Sequence, residues 1–222
     1  MTMRSDVAAP AANRLPLWVK LIYTAFVAVL VPVYWHYYGP TNFLYFCDVA
    51  LLLTLAGIWL ESPLLISMCA VGILAPQALW VVDFLLNFVN VHLTGMTDYM
   101  FKHENSLFLR GLSLFHGWLP FLLAWLVWQL GYDERALLGW TALASVLLLI
   151  CFFLMPPPNP NAGLTPVNIN YVWGTNDAAA QTWVSPYVWL LGMMIGLPAL
   201  LFWPVHFLLS RYAPKAPATG AQ

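Results

Sequence analysis

Apolar residues come in runs of about 20, the length a helix needs to cross a bilayer, and short polar or Pro-rich stretches separate them. The pattern predicts helices over 16–36, 42–60, 64–88, 107–130, 136–155 and 186–210. Pro156, Pro157 and Pro158 stop the fifth of these, because proline has no N–H to give and clashes with the preceding turn. The stretch 156–185 is too polar to lie in lipid, and no repeat is evident. Residues 1–13, built of Ala, Pro and Asn, read as a flexible tail, and 213–222 as a disordered one. What lies between, 14–212, is expected to be one transmembrane domain with external loops at 89–106 and 156–185. The first apolar run is too long for a cleavable signal, so its helix is expected to stay as an anchor. The predicted fold is all-α, a polytopic membrane bundle of about six transmembrane helices.

Composition strengthens this. The chain is 62% hydrophobic and 8% charged, against about 25% charged in a soluble domain. Twelve Trp, ten Tyr and thirteen Phe suit membrane interfaces. A net charge of −1 argues against nucleic acid as a partner. The basic residues are divided unevenly. Arg4, Arg14, Lys20, Arg135, Arg211 and Lys215 fall on the side of the termini, while Lys102 and Arg110 fall on the other. The positive-inside rule then places both termini in the cytoplasm of a bacterial inner membrane.

Polar residues inside the spans carry the candidate chemistry. Cys47 and Asp48 stand side by side near the outer end of the second span. A carboxylate at mid-membrane costs roughly 2.5–3.5 kcal/mol, so it marks a functional position by default. On the third span Pro76, Trp80, Asp83 and Asn87 recur at four, three and four, which stacks them on one face, with Gln77 adjoining. Arg110, Ser113 and His116 enter from the outer end of the fourth. Four helices thus bring polar groups to one membrane half, which predicts a polar cavity opening outward. A reactive Cys47 needs a histidine or positive potential beside it, and His116 lies at matching depth. Asp48 and Asp83 serve either to neutralise Arg110 or to take part directly. Cys69 reads as packing, and Cys151 sits on a helix without polar companions. His36, His92, His103, His116, Asp48, Asp83 and Glu104 share a side, yet no His-x-x-x-His or Cys-x-x-Cys spacing appears, so no metal or cofactor is expected. The Asn- and aromatic-rich stretch 168–187 reads as a lid or, preferably, an interfacial Trp/Tyr belt.

Phe43-Leu44-Tyr45-Phe46-Cys47-Asp48, then Gly72-Ile73-Leu74-Ala75-Pro76, Phe115-His116-Gly117, Asn170-Tyr171 and Trp183-Val184-Ser185-Pro186-Tyr187 follow one another along the chain. This order resembles that of the YwaF-like family of polytopic bacterial membrane proteins, relatives of a vertebrate membrane acyltransferase of ether-phospholipid synthesis. The resemblance implies acyl transfer between lipids, with Cys47 and His116 as the catalytic pair. Asn42, Asp48, Gln77, Asp83, Arg110, Ser113, Asn170 and Tyr171 are then expected to support or bind. The alternative is a non-enzymatic membrane protein, a small-solute transporter or lipid-binding subunit, with Asp48, Asp83 and Arg110 along its path.

Overall fold

The computed structural model describes residues 14–91, 93–101 and 106–217, and it is an all-helical bundle without a strand among them. Its helices are α1 (Leu17–Tyr38), α2 (Phe46–Trp59), α3 (Pro63–Asn87), α4 (Leu107–Ser113), α5 (Phe115–Leu130), α6 (Ala136–Leu154), α7 (Pro186–Leu197) and α8 (Trp203–Tyr212). Five helical segments are long and apolar enough to cross a membrane: α1, α3, Leu107–Leu130, α6 and Pro186–Tyr212. The chain is therefore a multi-pass integral membrane protein.

The sixth expected span, 42–60, is shorter than its apolar run. Helix α2 has 14 residues, about 21 Å of rise, against roughly 30 Å of hydrocarbon. The N-terminal part of that run is a tight 3₁₀ turn, Pro40–Leu44, followed by an extended Tyr45. Two other spans are interrupted. In 107–130 the hydrogen bonding tightens at Leu114, whose carbonyl accepts from both Gly117 and Trp118, six residues before Pro120. In 186–212 the turn Pro198–Phe202 is a wide π segment, begun by a proline that has no N–H to donate.

Helix α3 is the centre of the bundle, packing on α2, α5 and α6. Half of its membrane-length window is buried, against 11% for Pro186–Tyr212. Small residues let the helices close up, as membrane packing requires. A Cβ on Gly72 would stand 1.8 Å from the buried Trp140 ring, and one on Gly139 would stand 2.9 Å from the Met68 sulfur. Gly72 and Met68 are one turn apart on α3, so α6 lies in a groove cut for its Gly139-Trp140 pair.

The end carrying the termini is tied together by polar contacts. Glu61, in the α2–α3 turn, accepts from the Arg14 and Leu15 backbone and pairs with the Lys20 ammonium at 2.7 Å. Partial burial pushes its carboxyl up, but Lys20 and the two N–H groups together hold it below its ordinary 4.5. Residues 213–217 depart from the disorder expected of them. Tyr132 donates to the Pro214 carbonyl and Ala216 donates back to Tyr132, while Lys215 pairs with Glu134. Gly131, at φ 90°, permits this: a side chain there would meet the Ala216 backbone at 2.6 Å. The expected tails 1–13 and 218–222 lie outside the described residues.

Candidate functional site

Helix α2 begins inside the molecule with no cap of its own, since the Tyr45 side chain supplies none. Asn170, 124 positions away, does this instead. Its Oδ1 accepts from the Phe46 N–H at 3.0 Å, and its Nδ2 donates to the Leu44 carbonyl at 2.8 Å and approaches the Cys151 sulfur at 3.5 Å. Both amide ends are occupied, so Asn170 positions α2 and does not face a ligand. Cys151 thereby gains a polar companion that its own helix does not provide.

Cys47 and Asp48 lie in the first turn of α2, where the helix dipole and unbonded N–H groups favour negative charge. The Cys47 thiol points to Asp48 Oδ2 at 3.7 Å, and Asn42 Nδ2 donates to the same oxygen at 3.3 Å. Asp48 is 3% exposed, and its Oδ1 has no partner. Tyr34 and Tyr38 lie within its electrostatic reach.

The expected neutralisation of Arg110 does not occur. Asp83 is fully buried and receives four hydrogen bonds from the loop after α3. Leu93 and Thr94 donate their N–H groups to Oδ1, and Thr97 donates its N–H and hydroxyl to Oδ2 at 3.1 and 2.6 Å. Asn87 adds bonds to Thr97 and Asp98. Arg110 Nη1 donates to the Met100 carbonyl at 3.1 Å, its Nε has no partner, and neither Asp48 nor Asp83 is ion-paired with it. The reason is local. Four donors already saturate the Asp83 carboxylate, so a guanidinium has no acceptor left there.

His116 opens α5 just past the break at Leu114. Its Nδ1 lies 3.3 Å from Gln77 Nε2, and its ring rests on Phe115 and Trp80, at 4.0 and 5.2 Å between centroids. It is not hydrogen-bonded to Cys47. Matching depth brought the two to one layer without turning them toward each other. Ser113 bonds Tyr34 Oη at 2.8 Å and the Leu109 carbonyl. Tyr99 reaches the same hydroxyl and lies near Cys47, its phenol pushed up first by burial.

Nor is this layer an open cavity. Asn42, Asp48, Gln77, Asp83, Ser113 and Asn170 are all under 9% exposed. Loop 93–101 covers them on one side, with Met100 buried and Phe101 against Phe84 and Phe88. The turn Ile169–Tyr171 covers them on another. That turn also revises the expected belt, since Ile169 and Val172 are fully buried. Asn168, Asn170 and Tyr171 all adopt left-handed backbone there. Asn168 is held by bonds to Gly174, Asn176 and Asp177, and burial pushes the Asp177 carboxyl up despite that amide. Tyr171 contributes its carbonyl, which accepts from Trp189 Nε1 at 2.9 Å. Trp183 and Tyr187 are well exposed and stand as a belt would, with Tyr171 exposed to a lesser degree.

Among the described residues no three of His, Cys, Asp and Glu come close enough to hold a metal ion. His92, His103 and Glu104 lie outside them. Tyr34, Thr97 and Tyr99 are the members of this layer that the sequence did not single out. A tyrosine amid apolar positions of a span was a usable signal for Tyr34; Thr97 and Tyr99 gave none. Set against protein-family models, curated proteins and solved structures, the chain matches none.

Proposed function

We propose that this integral membrane protein acts on membrane lipids as an acyltransferase, with Cys47 carrying the acyl group. The observation behind the reading is the Cys47 thiol directed at Asp48 Oδ2, with Asn42 steadying that oxygen from the other side. In this scheme the thiol proton passes to Asp48. The thiolate attacks the ester carbonyl carbon of a phospholipid, and the ester C–O bond breaks. The departing lipid alkoxide takes the proton from Asp48, leaving a thioester. A second lipid's hydroxyl then gives its proton to Asp48 and attacks the thioester carbonyl, and the released thiolate recovers that proton. The proton-accepting role expected of His116 thus moves to Asp48, and His116, tied to Gln77, positions the bound lipid. The setting we propose is a bacterial inner membrane with both termini cytoplasmic.

The non-enzymatic reading has its own support in two unmatched charges. Among the described residues Asp48 Oδ1 and Arg110 Nε both lack partners, and ionisable residues within spans mark solute paths. One experiment separates the two. Purified protein given a phospholipid with a labelled acyl chain is expected to take up a label that neutral hydroxylamine removes. Cys47→Ser abolishes it, Cys69→Ser and Cys151→Ser retain it, and Asp48→Asn slows it by on the order of 10²–10⁴, the usual worth of a general base. His116→Ala, on this scheme, costs less than Asp48→Asn. Undiminished turnover in Cys47→Ala ends the acyl-enzyme reading and leaves solute uptake into vesicles to be measured.

A further inference from the structure

At the end of the molecule away from Cys47, helices α1 and α5 do not close on each other. They leave a groove of about 470 Å³ lined by Trp18, Ile22, Phe26, Trp118 and Trp125, among others, and almost wholly apolar. Its volume is of the order of one fatty-acyl chain. Trp118 closes the deep end, edge-on to Tyr23 and Phe26. The shallow end is spanned by Arg14. This residue precedes Trp18 by one turn, and its Nη1 reaches the Leu130 carbonyl, five residues beyond Trp125 on α5. One guanidinium therefore links the segment leading into α1 to the last residue of α5, beyond the Trp18 and Trp125 end of the groove.

The charges around Arg14 are already matched, and Arg14 is not. Glu61 pairs with Lys20 and takes only the backbone N–H of Arg14, Asp133 pairs with Arg135, and Glu134 pairs with Lys215. Among the described residues the Arg14 guanidinium has one neutral carbonyl and no carboxylate. Arginine's planar fork suits phosphate, and Arg14 stands just before the membrane-length helix that begins at Leu17, the end of a span where headgroups are met.

We propose that the α1–α5 groove is a phospholipid-binding site, with an acyl chain laid between Trp18 and Phe26 and the lipid phosphate on Arg14. It is separate from the Cys47 layer and does not depend on the acyl-transfer reading. The site selects phosphate over a neutral glycerolipid head, where a plain lipid-facing surface selects nothing.

The test is native mass spectrometry of the delipidated full chain in detergent, titrated with dioleoylphosphatidylglycerol or with dioleoylglycerol. One phosphatidylglycerol is expected to bind saturably and at least roughly tenfold more tightly than the neutral lipid, about the worth of one charge-assisted contact. Arg14→Gln lowers phosphatidylglycerol affinity to that of dioleoylglycerol, and Arg14→Lys retains most of it. Ile22→Trp, at an exposed position, fills the groove and removes saturable binding with Arg14 intact. Arg135→Gln, whose charge is already paired, leaves binding unchanged. Equal retention of both lipids by the wild type, or unaltered phosphatidylglycerol binding in Arg14→Gln or in Ile22→Trp, overturns the proposal.

Discussion

The buried carboxylates differ in what they have been given. Asp48 keeps an oxygen without a partner, whereas Asp83 accepts four hydrogen bonds from residues 93–97. Asp83 therefore anchors the loop 93–97 to α3, and its partners are main-chain N–H groups and the Thr97 hydroxyl, not Arg110. Asp83→Asn turns an acceptor into a donor facing other donors. It is expected to cost on the order of 2–4 kcal/mol, the scale for stranding one or two buried groups. Arg110→Gln will not restore the loss, and the two changes should add to within about 0.5 kcal/mol, as independent sites do. Melting of the single and double mutants in detergent checks this, and a rescued double mutant would restore the ion pair. The stripe Pro76, Trp80, Asp83 and Asn87 was legible from its spacing, because helical period places side chains on a face. What the face meets was not legible, because three of Asp83's four donors are main-chain N–H groups that every sequence carries. The Cys47–His116 relation failed for a related reason. Depth follows from counting residues, but the direction of each ring follows from packing, and here Gln77 and Trp80 hold His116.

Among the elements, apolar runs located every long helix to within a few residues, since only an intrasegment hydrogen-bond pattern satisfies the backbone in lipid. They misplaced the features that depend on single positions. The start of α2 moved to Phe46 because a distant Asn170 caps it, and 107–130 broke at Leu114. Residues 213–217 folded back because Gly131 leaves room. The close approach of α3 to α6 also turns on one glycine, and it makes a sharp expectation. Gly72→Ala places a methyl within the Trp140 ring, so the helices must part. The cost is about 1–3 kcal/mol or more by the measure of overpacked cores. Trp140→Phe in the same chain removes the overlapping part of the ring and should recover much of it, while Gly192→Ala, with nothing within 4 Å, should be silent. Thermal melting of the four proteins decides this, and a neutral Gly72→Ala would mean that α6 does not seat there.

On the scale of the whole molecule, the uneven spread of basic residues acquires a physical location. Arg14 and Lys20 meet Glu61, and Lys215 meets Glu134 beside Arg135, so these cations gather at one end of the bundle. Most are internally neutralised, yet the positive-inside rule counts Lys and Arg in short flanking segments and gives acidic residues little weight. The opposite end carries Arg110 and the loops 93–101 and 156–185. The bundle is thus expected to sit with its Arg14–Lys215 end in the cytoplasm and the Asp83-anchored loop outside. Ala162, in the 156–185 loop, and Ala218, just past Lys215 in sequence, are the positions to probe. With Ala162→Cys, an impermeant maleimide should label intact cells. With Ala218→Cys, it should label only after the membrane is opened; both changes are made in a Cys47→Ser chain, whose remaining Cys69 and Cys151 are buried and which alone serves as background. Labelling of Ala218→Cys in intact cells, with Ala162→Cys silent, would turn the molecule over. On the two proposals above, the Cys47 layer would then draw its lipids from the inner leaflet, and the α1–α5 groove from the outer one.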